Sequence, residues 1–145
     1  MNILQALYCN QYYELKPKGK EAAARVNGNR LLGIALAFNF ILLVILTMLA
    51  SPDFTDAFSD MVRDIFGRRQ SRTVGKLIAL IPFLIFLPLV QFTIGRQSTY
   101  DRLIARFELM PESNKKQISR KGLVYFITSM LGFVAAVVLS LIFLA

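Results

Sequence analysis

Leu123–Ala145 reads LVYFITSMLGFVAAVVLSLIFLA, without one charged residue. At 1.5 Å per residue this stretch forms a helix about 35 Å long, against a hydrocarbon core of about 30 Å. Leu, Ile, Val and Phe dominate it, and each favours insertion by about 0.3–0.6 kcal/mol near the bilayer centre. Lys115, Lys116, Arg120 and Lys121 stand just before it. Cations collect on the cytoplasmic side of a span, so the N-terminal end of this helix is expected inside.

Two other apolar runs, Leu31–Ala50 and Leu77–Gly95, have the same character, and polar, charged segments separate the three. The expected fold class is therefore all-α, an integral membrane protein with three transmembrane helices plus short amphipathic interfacial helices. The expected organisation is one membrane domain over 1–145. Residues 1–30 are cytoplasmic, 31–50 the first span and 51–76 an extracytoplasmic amphipathic helix with a basic loop. Residues 77–95 are the second span, 96–122 a cytoplasmic helical loop and 123–145 the third span. The inside segments hold 5 + 7 = 12 Lys and Arg and the outside segment 5, so the N-terminus is expected inside and the C-terminus outside. Leu31–Ala50 is longer than the apolar region of a cleavable leader and follows a charged segment, so it reads as a span. With no Asn-x-Ser/Thr signal, a bacterial inner membrane is the expected location.

The chain has 145 residues, 55% hydrophobic, with a net charge of +8 and a mean hydropathy of +0.52. On a soluble protein that charge would suggest nucleic acid. Beside spans it is explained by anionic lipid headgroups, and no nucleic-acid-binding motif accompanies it, so no nucleic-acid partner is expected. There is no histidine and only one cysteine, Cys9. This removes His-based haem and zinc ligation, a Ser-His-Asp triad and any internal disulfide. No catalytic residue, metal site or cofactor is expected.

Residues 1–15 place Ile3, Leu4, Leu7, Tyr8 and Tyr12 on one helical face, which suits the membrane interface or a partner. Lys16-Pro17-Lys18-Gly19-Lys20 breaks that helix. Asn27-Gly28-Asn29 is expected to weaken the junction with the first span. Ser51-Pro52 starts a helix well, as cap and first helical residue, and Gly67 stops one. Between them Phe54, Phe58, Met61, Val62 and Ile65 face one way and Asp53, Asp56, Asp60 and Asp64 nearly the opposite way. Carboxylates so spaced could hold Mg²⁺ against a diphosphate, the chemistry of a small lipid-metabolising enzyme. The simpler expectation is a solvated helix face.

Pro82 and Pro88 interrupt the second span, which also holds Gln91. A kinked packing helix is expected, with a transport path in a homo-oligomeric channel as the alternative. The residues expected to pack helices are Gly33, Ala37 and Asn39 in the first span, Gln91 in the second, and Thr128, Gly132, Ala136 and Ser140 in the third. Small side chains let backbones approach, and lone amides seek a partner away from lipid tails. Lipid-headgroup or partner contact is expected of Arg68, Arg69, Arg72, Lys115, Lys116, Arg120 and Lys121. The surplus of packing features points to a non-catalytic accessory subunit of a larger membrane complex, with membrane lipids and other integral membrane subunits as partners.

Overall fold

A computed structural model describes residues 1–67 and 71–144, except for the side chains of Ser71 and Arg72. Six α-helices form, and no strand is found among the described residues: α1 Ile3–Leu15, α2 Ala24–Ala50, α3 Pro52–Phe66, α4 Ser71–Phe92, α5 Gln97–Glu108 and α6 Glu112–Phe143. Two short 3₁₀ turns, Lys16–Lys18 and Glu21–Ala23, join α1 to α2.

The helix limits follow from local chemistry. At the start of α1 the Asn2 side chain accepts from the Gln5 amide at 2.8 Å, and the Gln5 side chain accepts from the Asn2 amide at 3.2 Å. This reciprocal cap satisfies two amide donors that the first turn leaves free. Ser51 caps α3 by accepting from the Phe54 amide at 3.3 Å. Gly67 ends α3 at φ 76°, a conformation that costs glycine least.

Three helices are long and apolar enough to cross a membrane: Glu21–Ala50, Thr73–Phe92 and Glu112–Phe143. Their outer surface is oily; Leu84 is 72% exposed and Leu141 66%. A water-soluble surface does not carry apolar side chains so continuously, and the chain is accordingly a multi-pass membrane protein. The long helices form an open row. α4 and α6 both pack on α2 and scarcely touch each other. Phe38 of α2 bridges them, stacked on Phe133 of α6 at 4.5 Å and edge-on to Phe83 of α4 at 5.8 Å.

The densest core lies at one end of the row. α1 and α5 fold there against the first turns of α2 and α6 and the last turn of α4. Leu7, Tyr8, Cys9, Ala24, Leu32, Val90, Tyr100, Leu103, Ile104 and Phe107 make up this polar-end cap.

Three expectations change. α1 does not present one apolar face outward: Ala6, Leu7, Tyr8, Cys9 and Asn10 are all buried, while Ile3 is half exposed. The helix is surrounded by α2, α5 and α6, so polar Asn10 is buried as well. Asn27-Gly28-Asn29 does not loosen the junction, because α2 runs unbroken through it. Gly28 instead makes room for the Tyr8 ring: a Cβ there would lie 2.8 Å from Tyr8 Cε1. The expected loop before the second span is helical from Ser71 onward. Arg68 and Arg69, together with the side chain of Arg72, lie outside the described residues.

Candidate docking surfaces and the polar-end junction

The cap is held by a polar junction at the membrane ends of the long helices. Tyr8 of α1 donates its hydroxyl to Asn29 Oδ1 of α2 at 2.7 Å. Gly95, after α4, packs so closely on Asn29 that a Cβ there would lie 2.6 Å from Asn29 Cγ. Arg25 reaches over to donate to the Gly95 carbonyl at 3.0 Å. Four chain segments meet when the Tyr100 ring of α5 is added, edge-on to Tyr8 at 6.1 Å. Burial pushes the Tyr100 hydroxyl up to about 12 and raises Tyr8 further, with Arg25 opposing the Tyr8 shift. Desolvation disfavours the phenolate in each case, so both rings stay neutral at physiological pH.

α1 runs antiparallel to the first turns of α6. Tyr13 donates to Glu112 at 2.8 Å, Asn10 to Ser119 at 3.0 Å, and Gly122 meets the backbone at Ala6 and Leu7. A Cβ on Gly122 would lie 2.7 Å from Leu7 Cα. Cys9 is sealed inside, and burial pushes its thiol up to about 12. Such a thiol is inert.

On the water side, Glu108 accepts from both Tyr12 and Lys16. The Lys16 hydrogen bond, then that of Tyr12, holds the Glu108 carboxyl below the usual carboxylate range. Its contribution to docking is therefore full above the unfolded carboxylate pKa and is lost as pH falls through the lowered one. Both partners are about half exposed, so the effect is small.

The sequence-predicted packing residues fall into two groups. Gly33 and Ala37 are buried, and a Cβ on Gly33 would lie 3.1 Å from Leu87 Cα, so α2 and α4 approach closely there. Asn39 donates to the Tyr125 hydroxyl of α6 at 3.0 Å. Ala136 is buried, Gly132 faces Leu42, and Ser140 bonds back to the Val137 carbonyl. Thr128 and Gln91 are exposed. Gln91 lies one turn before Gly95, close to the junction.

Thr128 points away for a geometric reason. A row at i, i+4, i+8 turns by about 40° per step around an α-helix, whereas a seven-residue step drifts by only about 20°. The buried residues of α6 are Ser119, Gly122, Ser129 and Ala136. Three of them, Gly122, Ser129 and Ala136, are seven apart. Close packing follows that rhythm. The four-residue row wraps off it.

The basic residues of α6 divide similarly. Lys115 is half-buried near Tyr12 and Glu112, while Lys116, Arg120 and Lys121 are exposed. The Asp face of α3 is exposed too; among the described residues Asp60 pairs with Arg63 of its own helix, at 3.3 Å. Among the described residues, no three His, Cys, Asp or Glu side chains cluster to hold a metal ion.

Two hollows accompany the spans. One of about 590 Å³ opens at the far end, walled by Met48, Leu49, Pro52, Thr55, Leu139 and Phe143. The other, about 460 Å³, runs along α6 beneath Ile3. Of the cap residues, Tyr8 lies on the apolar face that periodicity marks in α1, whereas Asn29, Gly95 and Gly122 carry no periodic signal of that kind. A seven-residue count of small residues in α6 would have included Gly122. Comparison with known proteins returned no matching family model, no matching curated protein and no matching solved structure.

Proposed function

We propose that this chain is a non-catalytic accessory subunit of a larger membrane complex, binding other subunits through its spans. The observation that supports this reading is the open row of long helices. A closed three-helix bundle would bury a shared core, whereas here α4 and α6 lie on either side of α2 and scarcely touch each other. Their remaining faces expose Leu80, Leu84, Leu131 and Leu141 among others. Helices of other subunits can pack against such faces by van der Waals contact. The polar-end cap keeps the row in register, so the faces are presented rigidly. The chain then has no reaction of its own, and the Asp face of α3 is a solvated face.

Gentle detergent extraction followed by native mass spectrometry tests this directly. The expected spectrum shows the chain with other polypeptides in fixed ratio. A lone monomer overturns the reading.

In this reading the cap lies in the cytoplasm and α3 on the outer surface of a bacterial inner membrane, its Phe54, Met61 and Ile65 turned to the lipid. The twelve-to-five division of Lys and Arg supports that orientation. A tag inserted at Ser113 is expected to stay shielded in intact cells, and a tag after Ala145 to be labelled. The reverse pattern would invert the topology.

A further inference from the structure

We infer that the groove between the start of α1 and the outer face of α6 is a binding site for one anionic phospholipid. Ile3 forms one wall, and Gln117, Arg120, Lys121, Val124 and Thr128 descend along the other, in a hollow of about 460 Å³. From Gln117 through the adjacent Arg120 and Lys121 to Val124 and Thr128 the steps are three or four residues, so these side chains share one face of α6. That face changes character along its length. Gln117, Arg120 and Lys121 lie toward the cap, and Val124 and Thr128 lie one to two turns deeper, inside the span.

The order matches a phospholipid entering from the bilayer, with its phosphate at the membrane surface and an acyl chain below. Arg120 and Lys121 are exposed and form no ion pair among the described residues, where the salt bridges are Lys16–Glu108 and Arg63–Asp60. Two unneutralised cations at the mouth favour a negative headgroup over a zwitterionic one. Arg120 supplies a planar fork suited to phosphate oxygens, and Lys121 a point charge beside it.

The depth comes from Thr128. Its small side chain leaves the floor low where the four-residue row has turned off the packing line. Val124, 52% exposed, gives the chain an apolar contact. Ile3, 52% exposed on a helix otherwise docked in the cap, covers the groove from the side. A lipid held here touches two helices. An annular lipid touches one surface. The inference rests on the membrane reading of the spans and is independent of whether other subunits bind.

The test uses the full chain, purified in detergent with mixed phosphatidylglycerol and phosphatidylcholine and examined by native mass spectrometry. One phosphatidylglycerol per chain is expected to survive activation that strips phosphatidylcholine. The double variant Arg120→Gln with Lys121→Gln should lower its retention about thirtyfold, since each surface cation contributes about 1 kcal/mol to anionic-lipid attraction. Lys115→Gln with Lys116→Gln removes the same charge one to two turns away and should lower it less than twofold. Thr128→Leu leaves the charge untouched, fills the floor and should lower retention severalfold. Equal losses from the two charge pairs would reduce the effect to diffuse electrostatics and overturn the site. So would equal retention of the two lipids by the unmodified chain, or no loss with Arg120→Gln and Lys121→Gln. An unreactive Cys9 in every variant shows that the cap is still docked.

Discussion

Gly122→Leu is expected to detach α1 from the protein and expose Cys9 to maleimide. At Gly122 the α6 backbone lies against that of α1, and even a Cβ would fall 2.5 Å from the Ala6 carbonyl carbon and 2.7 Å from Leu7 Cα. Backbone cannot step aside as the tip of a side chain can. An alanine at this position forces the helices apart, at a typical overpacking cost of about 1–3 kcal/mol. A leucine leaves α1 no docked position. The consequence is read at Cys9, whose thiol is fully buried and pushed up to about 12 in place of its ordinary 9. Restoring the ordinary value raises the thiolate fraction at neutral pH about a thousandfold, and the loss of burial adds to that. Gly122→Leu should therefore label like an ordinary exposed thiol while the spans stay in the membrane. Gly122→Ala should label at an intermediate rate. Continued silence of Cys9 in Gly122→Leu would show that α1 is not held through this crossing.

The second large effect compares two phenylalanines. Phe107 of α5 is 1% exposed, and the Tyr12 and Tyr13 rings both meet it nearly perpendicular, at 6.3 and 6.4 Å. In the proposed orientation its cap lies in water outside the spans, so Phe107→Ala loses both transfer free energy and packing, about 3–5 kcal/mol. The open fraction of the cap then rises about 10²–10⁴-fold, and Cys9 labelling, which follows that fraction, rises with it. Phe38 of α2 has close ring contacts with Phe133 and Phe83, yet its surroundings are helices and lipid. Lipid tails are as apolar as the side chains they replace, so Phe38→Ala loses packing without a comparable hydrophobic term. Its effect on Cys9 labelling should be less than tenfold. Equal labelling in the two variants would mean that cap and spans unfold as one unit, and would refute the separation drawn between them.

That separation also explains how much of the protein is legible in its sequence. The three long apolar segments are legible one by one, since the requirement to span about 30 Å of hydrocarbon is met by each segment alone. The limits of α3 are legible for the same reason: Ser51, Pro52 and Gly67 act on their own turns of backbone. Gly33, Ala37 and Ala136 have their small side chains at helix contacts, and Asn39 finds Tyr125. The four-residue row in α6 curves away from the contact line, so Thr128 faces the groove beneath Ile3.

Residue types and their order were enough to determine a multi-pass helical protein, because lipid leaves each apolar segment one way to satisfy its own backbone. Which helices touch, and where the dense core lies, were settled only in three dimensions. Tyr8 is 21 residues from Asn29 and Asn10 is 109 from Ser119. No local rule couples positions so far apart; they pair because the docking of α1 buries its polar atoms and each must find a partner. Gly28 and Gly95 lack side chains where another segment passes, a need created by the neighbour and invisible in the stretch of chain that carries them.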